Sequence, residues 1–171
     1  MKKFGAGWVA AVLVLATLIL AAPSSAVTSD WTGPGVAITG NAGNYPTTGI
    51  ARPITINDNT TATPYPSTIT VPAAHNSVIT GVRVEVTGLT HAFTPDIDMM
   101  LVGPHGQRVL LMSDVGSAAN NVDLTFSDAA ATDVPSPPVT GTYRPTDVGS
   151  GADTFPAPAP GTTTNTSLAV F

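Results

Sequence analysis

The sequence predicts an all-β fold, a β-sandwich or jelly roll, on three observations. Short runs rich in Val, Ile and Thr recur between turn signals, which is typical of strands. The 171 residues include 16 glycines and 16 prolines, and these residues mark turns and loops. Beyond residue 26 there is no lysine, and one glutamate stands against ten aspartates. Because lysine and glutamate favour helices whereas aspartate favours turns, helices are not expected there.

Residues 1–26 are predicted to be a secretory signal peptide. Two lysines precede an apolar run at residues 8–22, and the small residues Ser24 and Ala26 follow at the positions that signal peptidase requires. The alternative is an uncleaved membrane anchor, but the run is shorter than the ~20 apolar residues that cross a bilayer. We therefore expect cleavage after Ala26 and a secreted, extracellular protein with no membrane association after cleavage.

The charge and the missing cysteines exclude several classes of function. The formal net charge is -5, charged residues make up 10% of the chain, and only four arginines remain beyond residue 26. Electrostatic binding to nucleic acid or to anionic lipid is therefore not expected. With no cysteine, disulfides, cysteine zinc sites and a thiol nucleophile are excluded.

The two clearest strands are predicted at residues 67–71 and 82–86. In the second segment three valines alternate with Arg83 and Glu85. A period of two places the valines on one face of a strand and the charged residues on the other. This segment therefore predicts a strand with one buried face.

A β-hairpin follows, formed by residues 97–102 and 108–112. Both segments are nearly apolar throughout, so we place them centrally in a sheet and covered on both faces. The turn between them is Gly103-Pro104-His105-Gly106, with proline and glycine at positions that suit a type I turn. Counting outward from this turn places Val102 opposite Gln107.

The remaining elements are shorter. Residues 122–126 predict a further strand, whereas the proline-rich segments 135–138 and 155–160 predict loops, because proline cannot donate to a sheet. Residues 167–171 have the composition of another buried strand that stops at the last residue. That strand would leave an open edge, which invites pairing or aggregation.

Aspartates provide the candidate metal site. The same count places Asp98 opposite Leu111. It also places Asp96 opposite Ser113, beside Asp114. Asp96 and Asp98 are two residues apart, so their carboxylates would point to the same side of a strand. Three carboxylates at one end of a sandwich would suit calcium, which takes about six to eight oxygen ligands. The alternative is that Asp96 and Asp114 form turns by bonding their own backbone.

Histidine chemistry has little support. His105-Gly106 is faintly similar to the histidine motif of subtilisin-type proteases, but neither Gly-x-Ser-x-Gly nor Gly-Thr-Ser provides a nucleophile. His75 and His91 are scattered, and no His-Glu-x-x-His motif predicts a zinc site. We expect no catalytic residue in this chain.

A series of segments between Thr63 and Phe171 occurs in an order that resembles a known family. These segments are YPSTITV (65–71), VRVEVTGLTHAFTPDID (82–98), LVGPHGQ (101–107), VLLMSD (109–114), LTFSDAA (124–130), SPPVTGTYRP (136–145) and FPAPAP (155–160). Together they resemble the proprotein convertase P domain, also called the P/Homo B domain, in its secreted bacterial form. The order of the segments is more specific than any single one of them.

The resemblance implies a jelly-roll β-sandwich related to galactose-binding-like folds. In the family this module is non-catalytic, and it follows and stabilises a subtilisin-like protease domain. Calcium binding is reported for parts of the family, which agrees with the three aspartates. Too few residues separate Ala26 from Thr63 for a protease domain, and family members continue past the position of Phe171. We therefore expect a sandwich that is incomplete at the C-terminus.

The predicted organisation is a signal peptide at 1–26, an N-terminal extension with first strands at 27–62, and a P-domain-like β-sandwich at 63–171. Its predicted function is to bind or stabilise a protease domain or another secreted protein. The alternative is a carbohydrate-binding or adhesive module that recognises a cell-surface glycan. That function usually needs exposed aromatic rings, and the candidates are Trp31, Tyr45, Tyr65 and Tyr143. The third alternative is that the chain is part of a serine endopeptidase, which only the association of the family with proteases supports.

Overall fold

The computed structural model describes residues 10–18, 36–40, 54–57, 60–71 and 81–171. Within these ranges the chain forms nine strands and two 3-10 turns, Thr94–Asp96 and Leu168–Val170, and no α-helix. The all-β prediction is therefore confirmed. The strands in chain order are β1 (Ala10–Leu18), β2 (Val36–Gly40), β3 (Ser67–Val71), β4 (Val82–His91), β5 (Ile97–Val102), β6 (Arg108–Ser113), β7 (Ala119–Phe126), β8 (Gly141–Tyr143) and β9 (Thr146–Asp147).

Five strands form a mixed sheet in the order β3-β1-β5-β6-β9. The strand β1 runs parallel to both of its neighbours, so that residues 14–18 pair with 67–71 and residues 10–15 pair with 97–102. The pair β5 and β6 is the predicted antiparallel hairpin, and β6 pairs with β9 in parallel. Both hairpin strands therefore lie inside the sheet, as predicted.

The other four strands form a second mixed sheet in the order β2-β4-β7-β8. In β4, Val84 and Val86 are buried and Arg83 is exposed, which confirms the predicted alternation. The pairing of β4 with β7 shifts register between Val86 and Leu89. Gly88 lies at this irregularity with φ of 66°, a conformation that glycine adopts without strain.

The two sheets enclose one apolar core. Residues of β4, β5, β6 and β7 belong to the same buried cluster, which gives the protein a sandwich-like arrangement. A second, smaller cluster joins Met100, Val102 and Leu110 to Phe155, which comes from the proline-rich segment 155–160. Every residue of β5 is buried, which confirms that this strand is covered on both faces.

The hairpin register differs from the predicted one. Val102 pairs with Arg108 rather than with Gln107, because the Gly103 N–H donates to the Gln107 carbonyl (2.8 Å) and so extends the loop by one residue. The predicted turn itself is present, since the Gly106 N–H donates to the Gly103 carbonyl at 3.1 Å. A second shift follows between Met99 and Met100. Counting outward from the turn therefore gave the wrong partners within β5: Met99 pairs with Met112, and Asp98 lies beside Ser113 rather than opposite Leu111.

The chain crosses from one sheet to the other in a very short step. Strand β8 ends at Tyr143 in the four-stranded sheet, and β9 begins at Thr146 in the five-stranded sheet. Arg144 and Pro145 alone separate them, and Pro145 is buried. The sequence contained no clear strand signal here, because both strands are only two or three residues long.

The predicted strand at residues 167–171 is wrong. Leu168–Val170 is a 3-10 turn, and so it offers no strand edge for pairing. Asp128 explains this conformation, because its carboxylate accepts hydrogen bonds from Ser167 Oγ (2.9 Å) and from the backbone N–H groups of Leu168 and Ala169 (3.0 Å each). Leu168 itself is buried in the main core.

We expect the Asp128→Ala substitution to lower the free energy of unfolding by roughly 1–2 kcal/mol, because three donors lose a charged acceptor. Urea unfolding monitored by fluorescence measures this change. Asp133→Ala is the control, since the Asp133 carboxylate forms an exposed ion pair with Arg144 (2.8 Å) and such pairs contribute about 0–1 kcal/mol. Equal losses in the two variants would contradict a capping role for Asp128.

The segment predicted to be a signal peptide contributes a strand in the full chain. Residues 10–18 of that segment form β1. Cleavage after Ala26 stays a prediction. Among the residues that the structure describes, no helix is long and apolar enough to span a membrane.

Candidate functional site

A buried carboxyl, Asp98, is the centre of the candidate site. It is the second residue of β5, and it is only 3% exposed because this strand lies between β1 and β6 with both faces covered. The strand alternation places Asp98 on the same face as Met100 and Val102. The segment that carries Phe155 covers this face.

Ser113 joins Asp98 to a second carboxyl. The last residue of β6, Ser113 is completely buried, and its Oγ lies 2.8 Å from Asp98 Oδ1 and 2.8 Å from Asp153 Oδ2. A hydroxyl carries one proton and can donate to one acceptor at a time. Two contacts of this length between Ser113 and carboxyl oxygens therefore require a second proton, carried by one of the two carboxyls. A bound cation could take the place of that proton.

Two further aspartates complete a cluster of four, which we call the aspartate cluster: Asp98, Asp114, Asp147 and Asp153. Asp147 lies beside Ser113 because β6 and β9 pair at this position. Asp114 follows β6 with φ of 55°, in the left-handed region that aspartate and asparagine tolerate. A Cβ atom at Gly149 would meet Asp114 Oδ2, so the backbone of this loop passes close to the cluster.

The electrostatics of the cluster favour proton uptake. Burial raises the pKa of the Asp98 carboxyl from its usual value of 3.8 to about 7, against the opposing effect of the Ser113 hydrogen bond. The negative charges of Asp153, Asp114 and Asp147 contribute smaller parts of this rise. Burial and the charges of Asp153 and Asp147 also raise the pKa of Asp114. When Asp98 is protonated it can donate to Ser113, which then donates to Asp153.

Arginine charges are engaged elsewhere. Arg144 pairs with Asp133, and Arg108 donates to the carbonyl groups of Pro160 and Thr162 at 3.0 Å each. In the part of the chain that the structure describes, the aspartate cluster therefore has no ion pair with an arginine. Its negative charge can be reduced by protons or by a bound cation.

The structure brings together two of the three aspartates that the sequence predicted. Asp98 and Asp114 lie in the cluster, whereas Asp96 lies in the 3-10 turn before β5, where the two-residue alternation of a strand does not apply. Sequence reasoning missed Asp147 and Asp153. Asp147 ends β9 and Asp153 lies in the loop that follows it, and no motif or spacing in the sequence links them to β5.

The chemistry of the cluster suits a hard cation, although its present arrangement is open. Carboxylate and hydroxyl oxygens are the ligands that calcium prefers. Among the described residues, no group of three or more acidic or histidine side chains is already arranged to hold a metal ion. A cation would therefore require the carboxylates of the four aspartates to move closer together.

An open polar depression of about 430 Å³ lies next to the cluster and shares Asp147 with it. Its other lining residues are Asp128, Asp133, Arg144, Pro145, Thr146, Thr166 and Ser167. None of these described residues is aromatic, so the depression lacks the stacking platform that sugar rings usually need.

The other side chains considered from the sequence have structural contacts. Tyr65 is half-buried and donates to the Pro156 carbonyl (2.8 Å), and Tyr143 is buried. His91 Nδ1 lies 2.9 Å from the Phe93 carbonyl oxygen. The backbone N–H of His105 donates to Gln107 Oε1 at 3.1 Å, in the exposed hairpin turn. Three other candidates lie outside the described residues: Trp31, Tyr45 and His75.

Comparison with known proteins identifies no relative of this chain: no family model, no curated protein and no solved structure matches it. The likeness to P domains consequently rests on the sequence segments alone.

Proposed function

We propose that the protein is a secreted, non-catalytic β-sandwich module of the P-domain type, which binds and stabilises a protease domain or another extracellular protein. The sandwich is of the jelly-roll kind in this proposal. The order of the segments from Thr63 to Phe171 supports it, and so does the apolar core between two sheets.

The observation that carries the non-catalytic part of the proposal is the burial of Ser113. This serine contacts two carboxyls, as the reactive serine of a hydrolase contacts acid–base groups, yet its exposure is 0%. A nucleophile must reach the substrate and needs a base that removes its proton. The carboxylates beside Ser113 can accept a proton, but the complete burial of its hydroxyl keeps a substrate away from it, which suits a stabilising role and not nucleophilic attack.

We expect the purified protein to remain unlabelled by a serine-directed fluorophosphonate probe and to leave unstructured peptide substrates intact. The assay compares the native protein with heat-denatured protein, and a subtilisin-type protease serves as the positive control. Labelling that requires the native fold, and that maps to one serine, would overturn the non-catalytic assignment.

Calcium is the cation we propose for the aspartate cluster. Asp98, Asp114, Asp147 and Asp153 would hold it, and its charge would replace the proton that the cluster otherwise takes up. At pH 8 we expect calcium at about 100 times its Kd to raise the Tm by roughly 5–10 °C relative to EDTA, since binding to the folded state alone adds about 2.7 kcal/mol. Differential scanning calorimetry of the full chain measures this shift.

Two asparagine variants make the calcium experiment specific. Asp114→Asn removes one charge from the cluster and keeps a residue that tolerates the left-handed backbone, so we expect the calcium shift to fall by at least half. Asp96→Asn is the matched control, because Asp96 lies outside the cluster, and its calcium shift should equal that of the unmodified protein. Equal shifts in both variants would remove the site from the aspartate cluster.

A further inference from the structure

A proline-rich segment crosses the outer face of the five-stranded sheet and carries one of the four aspartates of the cluster. We call residues 153–162 the strap. Its first residue, Asp153, contacts Ser113 Oγ at 2.8 Å. Two residues later, Phe155 is only 5% exposed, in the small apolar cluster that it forms with side chains of β5 and β6. The strap therefore connects the aspartate cluster to an apolar contact.

The strap follows β5 over two successive positions of one face. In β5, Asp98 and Met100 are two residues apart, so the strand alternation places both side chains on the face that the strap covers. On the strap, Asp153 and Phe155 have the same separation. Asp153 shares Ser113 with Asp98, and Phe155 shares the small apolar cluster with Met100. The carboxyl pair and the apolar pair are thus neighbours on a single face.

Two further contacts hold the strap beyond Phe155. Tyr65 Oη donates to the Pro156 carbonyl at 2.8 Å, and the Tyr65 side chain packs against the small apolar cluster. Arg108 Nη1 donates to two carbonyl groups of the strap at 3.0 Å each. All of these contacts lie on the C-terminal side of Asp153.

The N-terminal side constrains Asp153 less. The link from β9 to the strap is residues 149–152, which are exposed and include two glycines. Gly151 has φ of 122°, a conformation that other residues rarely adopt. Glycine leaves the backbone more freedom than any other residue does. The position of Asp153 beside Ser113 is therefore set by Phe155 and by the contacts that follow it.

We propose that Phe155 positions Asp153 for the cation, so that docking of the strap and binding of calcium stabilise each other. The inference rests on the calcium site proposed above. Phe155 supplies no oxygen ligand, and it acts through Asp153 alone. Coupling between two binding events is reciprocal, so an undocked strap lowers the affinity for calcium by the factor by which calcium favours docking.

Isothermal titration of the full chain with calcium chloride at pH 8 tests this positioning role. We expect Phe155→Ala to weaken calcium binding at least about tenfold, and Phe155→Leu to restore most of the affinity because leucine also fills an apolar pocket. Leu89→Ala is the control for stability, since Leu89 is buried in the main core on β4 of the other sheet. Its Kd should stay within about twofold of that of the unmodified protein. Circular dichroism shows whether each variant is folded during the titration.

A milder pair of variants covers the case in which Phe155→Ala does not fold. Tyr65→Phe removes the hydroxyl that holds Pro156 and keeps the ring, so we expect the calcium Kd to rise about two- to fivefold. Tyr143→Phe is the matched control, because the Tyr143 hydroxyl donates to the Val139 carbonyl (3.1 Å) in the region of the four-stranded sheet. Its calcium Kd should not change.

Hydrogen exchange measures the coupling in the reverse direction. The Ala159 N–H donates to the Pro156 carbonyl within the strap at 3.0 Å. Calcium should slow the exchange of this amide at least about fivefold in the unmodified protein, because docking lowers the population of the open strap. The Asp153→Asn substitution should remove this effect of calcium.

The outcomes separate this inference from the proposed function. An unmodified protein that binds calcium no more tightly than about 1 mM would overturn the calcium site, and the positioning role with it. Calcium binding that is unchanged in Phe155→Ala and in Tyr65→Phe would overturn the positioning role alone. An equal loss of affinity in Leu89→Ala would assign the effect to general stability, and it would also overturn the positioning role.

Discussion

In metal-free buffer the protein is expected to lose about 2.5 kcal/mol of its free energy of unfolding between pH 5 and pH 8, given a folded-state pKa near 7 for Asp98. The folded protein binds more protons at this carboxyl than the unfolded chain does, so stability falls as the pH rises. The contribution is fully present below about pH 4, where both states are protonated, and it is lost as the pH rises through 7. The raised pKa of Asp114 acts in the same direction.

Urea unfolding in EDTA at several pH values between 5 and 8 measures this slope. Asp98→Asn replaces the carboxyl with a neutral group of the same shape, and it should flatten the profile and stabilise the protein at pH 8. Asp96→Asn removes a carboxyl two residues away that lies outside the aspartate cluster, and it should leave the slope unchanged. A profile of Asp98→Asn as steep as that of the unmodified protein would assign the pH dependence to other groups.

The second large effect concerns the main core. Phe126 is fully buried at the end of β7, where it pairs with Val84 of β4. We expect Phe126→Ala to lower the free energy of unfolding by about 3–5 kcal/mol, since the substitution removes buried apolar surface and leaves a cavity. Urea unfolding at pH 6 measures this change. Loss of the cooperative unfolding transition would be the more severe form of the same result.

Phe93→Ala is the matched control for the core substitution. Phe93 is 54% exposed and follows β4, so the same change of residue should cost less than about 1 kcal/mol. Comparable losses in the two variants would contradict the placement of the core between the two sheets.

The sequence predicts the elements of this fold better than it predicts their pairing. The alternation of the valines with Arg83 and Glu85 predicts a half-buried strand, and residues 97–102 predict a buried one, because periodicity and composition are local properties. The register of the hairpin is not a local property, because it depends on which residues of two different strands lie opposite each other. Both of its strands are nearly apolar on both faces, so a shift by one residue changes little in the hydrophobic pattern from which a register is predicted.

The candidate site shows the same limit. The sequence makes Asp98 a candidate because it stands two residues from Asp96 in a predicted strand, so that both carboxylates would point to the same side. Its partners depend on long-range contacts, however: Ser113 through the bulged hairpin, and Asp153 through a loop that packs on the outer face of the sheet. Asp96 was included because it was assumed to lie in a strand, whereas Pro95 and its neighbours form a 3-10 turn. Single-sequence patterns cannot supply this information.

The short step from β8 to β9 has a mechanical consequence. From Tyr143 to Thr146 the chain advances three residues, a reach of about 10 Å at full extension, and packed sheets are about 10 Å apart. The segment between Tyr143 and Thr146 is therefore a short connection with little slack. The two sheets cannot separate or slide far at this end without breaking strand pairing. Because Asp147 follows directly on this connection, a pull on the four-stranded sheet would be transmitted to the aspartate cluster.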